Sequence, residues 1–431
     1  MRGFLIAAPH SGSGKTVVTL GLLRAFKKRG VAVVSAKAGP DYIDPAFHAV
    51  ASSGTCINLD PWAMRRDLLD CLTDRHAEDA DMLVVEGMMG LFDGAADGTG
   101  TAADLATRLG LPIVLVVDAS RMAHSIAALV NGYALHRADI NIAGVILNRV
   151  GSVRHEKMLR DALAPTGIEV LGVICQYGAL VLPERHLGLV QAGEHAALES
   201  FIETAAAEVT SGCDLNALAS LPIDGKSDVD QLSSVPPLGQ KIAIARDRAF
   251  SFIYPHLLDG WHAAGAEVAF FSPLADEGPS GDADAVYLPG GYPELHATTI
   301  ANASRFKAGM INARNGGASV YGECGGYMVL GNGIMDAEGT RHEMLGFLDL
   351  ETSFADRKRN LGYRRLTPRS SAFFCHPMTA HEFHYSTVMH ECGEPLFDYV
   401  DATGEQKGAA GLIRDNVAGS FMHLIDLAED T

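Results

Sequence analysis

The stretch that most constrains this chain lies at its start. An apolar run over residues 4–8 meets the loop Pro9-His10-Ser11-Gly12-Ser13-Gly14-Lys15-Thr16, then the helical run VVTLGLLRAFKKRG. A buried strand that turns on glycines straight into a helix opens a βα unit, and such units stack into a parallel sheet covered on both faces. The theme recurs: 31–36, 82–85, 113–118, 142–147 and 170–174 are apolar runs without polar alternation, each leading to a turn and a helical stretch. Strands of that kind are buried on both sides. Residues 1–210 therefore read as a doubly wound α/β domain with its ligands at the carboxyl ends of the strands.

The pattern fails in SGCDLNALASLPIDGKSDVDQLSSVPPLGQ, so 211–239 reads as a linker. It restarts over 240–431, with candidate strands at 241–245, 268–272, 286–289 and 319–321. A chain of 431 residues suits two such domains. No apolar run approaches the roughly 18 residues of a membrane span, and the start leads into a loop instead of a cleavage site, so a cytoplasmic protein is expected with no membrane partner. A net charge of −18 argues against nucleic acid as a partner. The seven cysteines, Cys56, Cys71, Cys175, Cys213, Cys324, Cys375 and Cys392, form no CxxC pair, so most are expected as small buried residues.

In the first loop, Gly12, Ser13 and Gly14 let backbone N–H groups turn onto phosphate oxygens, with Lys15 reaching the β- and γ-phosphates and Thr16 placed for Mg²⁺. Pro9 stands where the usual phosphate loop has its first glycine. Two further clusters end strands: Lys37-Ala38-Gly39-Pro40-Asp41-Tyr42-Ile43-Asp44-Pro45, and Glu86-Gly87-Met88-Met89-Gly90-Leu91-Phe92-Asp93-Gly94. Carboxylates there suit Mg²⁺ or substrate activation, with Thr16, Asp41 and Glu86 as the candidate metal set. Ordinary Asp-capped turns are the alternative.

In the second half, Ser319-Val320-Tyr321-Gly322-Glu323-Cys324-Gly325-Gly326 places a cysteine between glycines after a strand. Such a turn is expected to expose the thiol above the sheet and to aim it at a helix amino terminus, favouring the thiolate. The Gly325 N–H and one from the Gly290–Gly291 turn suit an oxyanion hole. His423, in the strand-like run GSFMHL, is the candidate partner of Cys324. HEFHYS sets His381 and His384 three apart on a strand-like pattern, which suits a structural or coupling role better than a metal.

Together GKT, GPDYIDP, EGMMGLFDG, LPGGYPE, GECGGY, HEFHYS and GSFMH resemble the cobyrinic acid and hydrogenobyrinic acid a,c-diamide synthases of cobalamin biosynthesis, in the family's order along essentially the whole chain. The resemblance implies a dethiobiotin-synthetase-like P-loop domain followed by a class I glutamine amidotransferase-like α/β domain. It implies ATP and Mg²⁺ as cofactors, and glutamine and a corrinoid macrocycle, cobyrinic or hydrogenobyrinic acid, as partners. It assigns Cys324 as nucleophile and His423 as the group that raises its reactivity, and puts Asp41, Tyr42, Ile43, Asp44, Glu86 and Asp93 in the synthetase site. Class I enzymes usually carry Glu two positions after the histidine. Here that position is Ile425, which leaves the group that orients His423 unidentified. Amidation of a nickel tetrapyrrole, cobyric acid synthesis on four other side chains, and a partitioning-type ATPase are the rival readings, the last of which leaves Cys324 and His423 unexplained. The assembly state is open, a homodimer included.

Overall fold

The computed structural model describes residues 2–176, 184–185, 188–189, 192–194, 197–224 and 235–429. The chain divides into two compact units, Met1–Trp62 with Arg66–Gln231, and Ala63–Arg65 with Leu232–Thr431.

The first unit is built on seven strands: β1 (Arg2–Ala7), β2 (Val33–Ala38), β3 (Cys56–Leu59), β4 (Met82–Glu86), β5 (Ile113–Asp118), β6 (Ile142–Val150) and β7 (Val170–Cys175). They pair in the order β3-β2-β4-β1-β5-β6-β7, all parallel. Leu5, Ile6, Val84, Val85, Val114 and Leu115 are wholly buried, as unbroken apolar runs require. The expected strands are present with ends shifted by at most three residues, and β3 is an addition. It is only four residues long, too short to announce itself by pattern.

The stretch expected as a linker is partly ordered. A helix over Leu198–Gly212 runs past residue 210, and a second, Leu215–Ser220, follows with Asp214 capping it through the N–H groups of Asn216 and Ala217. The cap supplies what the weak periodicity of that stretch lacks. Residues 225–234 lie outside the described residues.

The second unit opens with four parallel strands, β8 (Lys241–Ala245), β9 (Glu267–Phe271), β10 (Ala285–Leu288) and β11 (Ser319–Glu323). Then follow β12 (Gly333–Met335), β13 (Arg341–Glu343), β14 (Asp349–Ser353), β15 (Asn360–Pro368), β16 (Met378–His384), β17 (Thr387–Cys392), β18 (Glu394–Asp401), β19 (Gln406–Arg414), β20 (Val417–Ser420) and β21 (Met422–Leu427). The large sheet runs β9-β8-β10-β11-β20-β19-β18-β15-β16-β21, and it turns antiparallel after β20. Phe421 alone separates β20 from β21, although five pairings lie between them in the sheet. The antiparallel strands therefore curl back until β21 meets the end of β11.

Among the described residues no helix is long and apolar enough to cross a membrane. Three of the seven cysteines, Cys175, Cys375 and Cys392, are exposed, against the expectation of mostly buried thiols. Strand ends and loops hold them, where nothing forces burial.

Candidate functional site

In the first unit β1, β2 and β4 are neighbours, with Ile6 and Lys37 each in register with Glu86. Their carboxyl ends thus bring the three sequence clusters to one edge of the sheet. Gly12 and Gly14 sit at φ +80° and +92°, backbone that glycine enters without penalty. Any side chain at Gly14 would also strike Asn148, whose Nδ2 donates to the Ser13 carbonyl at 2.9 Å. Pro9, at the departure from the usual loop, has its carbonyl bound by the Tyr133 hydroxyl at 2.8 Å.

Glu86 is wholly buried and is the hub of this region. Its Oε1 accepts from the Thr16 hydroxyl at 2.8 Å and from Lys37 Nζ at 2.8 Å, and its Oε2 meets His48 Nε2 at 2.7 Å. Lys37 also donates to Asp44 at 2.6 Å, and His48 Nδ1 faces the Cys56 thiol at 3.5 Å. Burial opposes the charge on Glu86, but Lys37 and His48 outweigh it and hold the carboxyl well below its usual range. Burial likewise works against the Lys37 and His48 cations. Asp44 and Glu86 keep Lys37 charged, while Cys56 and Glu86 raise His48 to about 10. Asp44 is raised to about 6 by burial and then by Asp41, against the pull of Lys37.

Lys15 differs from these cations. Its Nζ donates to the Met89 carbonyl, and burial first, then Lys37, lowers it to about 8. This ammonium lacks a full counter-charge, and a bound phosphate would supply one. Asp41 is engaged elsewhere: its Oδ1 accepts from the N–H groups of Ile43 at 2.7 Å and Asp44 at 3.2 Å, closing the turn that carries Tyr42 and buried Ile43. Asp93 closes the neighbouring turn by accepting from Gly90 N–H at 2.9 Å, and adds a favourable charge near Lys15. His48 went unread in the sequence, although its place four residues after Asp44 puts it on the same helix face. Asn148 carried no signal, because it arrives from β6.

In the second unit Cys324 joins β11 to the helix Gly325–Leu330 at φ +45° and ψ −102°, a conformation L residues rarely adopt. The thiol is not exposed as the turn alone suggested. Cys324 is 3% accessible and its Sγ faces the Phe383 carbonyl at 3.9 Å, because the curled-back β16 covers the turn. His423, 1% accessible, lies beside Cys324. Burial would discharge this imidazole, but Cys324 and then Glu323 raise it to about 9.

The glycines are required by space. A Cβ at Gly290 would sit 2.4 Å from His423 Cε1, one at Gly291 2.1 Å from the Ala249 carbonyl oxygen, and one at Gly326 1.9 Å from that of Leu288. A Cβ at Gly325 would lie 3.1 Å from the Gly291 nitrogen, so the two backbones expected to supply N–H donors are in contact.

Ile425 is buried and apolar, with its carbonyl taken by His256 Nε2 at 2.8 Å. The carboxylate at His423 comes instead from Glu323, whose Oε2 lies 3.7 Å from His423 Nδ1. The sequence offered this residue directly beside the cysteine, but the usual position after the histidine drew the reading away from it. His381 pairs across the sheet with His423, and His384 stacks on Phe421 at 4.1 Å while its Nε2 meets Glu382 at 3.1 Å. Among the described residues no three His, Cys, Asp or Glu side chains converge to hold a metal ion.

Two family models cover the chain. Residues 4–190 match a CobQ/CobB/MinD/ParA nucleotide binding domain, and residues 241–431 match a CobB/CobQ-like glutamine amidotransferase domain. Over its whole length the chain is 62% identical to a hydrogenobyrinate a,c-diamide synthase of Rhizobium meliloti (strain 1021), with all of both chains covered. It is 61% identical to one from a Sinorhizobium species over 99% of each chain, and 50% identical to one from Rhodobacter capsulatus over 98% of each.

Proposed function

The chain belongs to the hydrogenobyrinate a,c-diamide synthase family, and from that premise we propose that it converts the a and c acetate carboxylates of hydrogenobyrinic acid into carboxamides, with ATP as the activator and glutamine as the source of ammonia. The observation that carries this reading is the pairing, in one chain, of a phosphate loop tied to Glu86 and a buried Cys324–His423 couple.

In the amidotransferase unit the Cys324 sulfur attacks the glutamine amide carbon. The oxyanion that forms is received by the N–H groups of Gly325 and the Gly290–Gly291 turn. His423 gives its proton to the departing ammonia, and the C–N bond breaks to leave a thioester. Water, deprotonated by His423, then releases glutamate and restores the thiol. In the synthetase unit an acetate carboxylate oxygen attacks the γ-phosphorus of ATP, and ADP leaves. This gives ammonia a leaving group it can displace, since phosphate departs from the acyl phosphate far more readily than hydroxide from a carboxylic acid. Gly12, Ser13 and Gly14 present backbone N–H groups to the phosphates, and Lys15 takes up the charge that develops between them. Lys37, Asp41, Tyr42, Ile43, Asp44 and Asp93 form the proposed carboxylate-facing side of the site.

Mg²⁺ fits at the foot of the loop, where the Thr16 hydroxyl and Glu86 carboxylate are oxygen donors already 2.8 Å apart. Asp41 fits less well, since its carboxylate is spent on the backbone of its own turn. Bound there, the ion would neutralise phosphate charge. The cosubstrates ATP and glutamine put the reaction in the cytoplasm.

The test is incubation with ATP, Mg²⁺ and glutamine on hydrogenobyrinic acid, with cobyrinic acid in parallel, following product mass. Two successive carboxyl-to-amide changes on the metal-free macrocycle are expected. No change on either macrocycle, with glutamate still released from glutamine, would sink the corrinoid assignment.

A further inference from the structure

A Cys–His couple works best when something fixes which imidazole nitrogen faces the sulfur and stabilises the imidazolium that forms. Ile425 offers neither a charge nor a hydrogen-bond acceptor from its side chain. The charge at His423 arrives from the other side of the nucleophile.

Glu323 ends β11 in register with Ser420, so it stands beside the single-residue turn that leads into β21. Its carboxylate, 2% accessible, straddles His423: Oε1 accepts from the N–H of Leu424 at 3.3 Å, and Oε2 lies 3.7 Å from the ring Nδ1. The Tyr287 hydroxyl donates to the same Oε2 at 2.8 Å, and burial followed by Glu323 itself pushes that phenol well above its ordinary value, so it remains a donor. The separation of 3.7 Å is an electrostatic contact, longer than a hydrogen bond. Catalytic pairs often stand this far apart before substrate binds. His381, the other titratable side chain facing the ring, is pushed down to about 3 by burial and then by His423, and carries no charge to offer. Glu323 lies within ion-pair distance of His423.

We propose that Glu323, braced by Tyr287 and the Leu424 N–H, is the positioning residue that holds His423 with Nδ1 turned inward and Nε2 turned to the Cys324 sulfur. The third member of the usual triad is thus present, moved from two residues after the histidine to one residue before the cysteine. This rests on the reading of Cys324 and His423 as the glutamine-cleaving pair. It predicts that the charge on Glu323 governs turnover and leaves glutamine binding alone.

The test is Glu323→Gln in the full-length protein, with Glu323→Asp and Tyr287→Phe beside it. Glutamate release and glutamine-driven amidation are measured against amidation driven by free ammonia. For Glu323→Gln, kcat with glutamine is expected to fall on the order of 10²-fold with KM changed less than about threefold, because one group in a proton-transfer couple commonly carries that much. Ammonia-driven amidation should persist, and Glu323→Asp should recover part of the loss. A glutamine kcat within about threefold of wild type, or a loss appearing in KM alone, overturns the proposal. If Glu323→Gln does not fold, Tyr287→Phe decides: it leaves the carboxylate and removes one brace. A drop in kcat at constant KM then supports the role and an unchanged kcat refutes it. Wild-type protein that releases no glutamate, with or without ATP and macrocycle, would instead overturn the reading of the cysteine pair itself.

Discussion

The two units use the same device, a strand that turns sharply into a helix, for opposite ends. In the phosphate loop the turn is made by Gly12 and Gly14 at positive φ, and no side chain stands in the way. In the amidotransferase unit the corresponding strained place is held by Cys324 at φ +45°. Where the backbone itself is the binding group, glycine is the best residue, because it lets N–H groups approach the ligand. Where the side chain is the reagent, the chain keeps the side chain and tolerates the strain. The surroundings differ in the same sense. The first turn is ringed by ion pairs that hold Glu86, Lys37 and His48 charged, and the second by glycines that leave room for one imidazole.

The largest effect expected from breaking this comparison is at the thiol. Cys324→Ala removes the thiol proposed to attack glutamine, so glutamine-driven amidation should drop by more than about 10³-fold. Amidation driven by free ammonia should stay near wild type. Equal loss with both nitrogen donors would show that the two chemistries are not divided between the two turns.

Next is the charge hub. Glu86→Gln leaves Lys37 and His48 buried without their shared carboxylate, and breaking a buried ion pair costs about 3 kcal/mol. ATP-dependent amidation should fail with either nitrogen donor, while glutamate release from glutamine, a property of the other unit, should survive. Denaturant unfolding and the two assays separate these effects. A variant as stable as wild type would mean that the Glu86 network is solvated and not structural.

These two sites were not equally legible in the sequence. The phosphate loop is contiguous, so Gly12 to Thr16 could be read from five adjacent residues. The meeting of Glu86, Lys37 and His48 depends on strand order β2-β4-β1, which no local pattern encodes. In the second unit the parallel strands at 241–245 and 319–321 were plain, because burial on both faces makes such runs apolar. Of the antiparallel ones, the runs holding His381 and His423 read as strand-like and the others did not. Gln406–Arg414 and Thr387–Cys392 are largely exposed, so no apolar run marks them. The return of Met378–His384 across the cysteine turn is why Cys324 is covered, a fact that the turn motif could not carry.

A smaller expected effect concerns space. Gly290→Ala puts a Cβ 2.4 Å from His423 Cε1, so the ring must shift from its place in the site. Glutamine kcat should fall on the order of tenfold or more, as displaced catalytic groups do. Gly12→Ala meets nothing within 4 Å, and its cost is confined to the positive φ. A Gly290→Ala enzyme with normal glutaminase turnover would show that this turn yields more easily than the thiol site requires.

Nucleotide binding sharpens the electrostatic side. Lys15, lowered to about 8 by burial and by Lys37, is charged below that pH and neutral above it. Bound phosphate favours the charged form, so nucleotide affinity should be flat between pH 6.5 and 7.5 and weaken as pH rises through 8, by up to about tenfold per unit. Calorimetric titration with a non-hydrolysable ATP analogue across this range checks it. Affinity unchanged to pH 9.5 would mean that the ammonium is already neutralised without ligand.

The smallest effect returns to the two turns. Cys324→Gly and Cys324→Ala both abolish the thiol, so their difference isolates the backbone. At φ +45° and ψ −102° glycine sits in the mirror image of the extended region, while alanine keeps the steric penalty of its Cβ. An ordinary Ala→Gly change in a folded chain loses about 0.5–1 kcal/mol to entropy. Relief of strain works the other way by about 1–3 kcal/mol, so Cys324→Gly should be the more stable of the pair by about 1 kcal/mol in denaturant unfolding. If the glycine variant is instead the weaker one, the cysteine turn stores no strain. The two turns would then differ in their chemistry alone and not in their backbone energy.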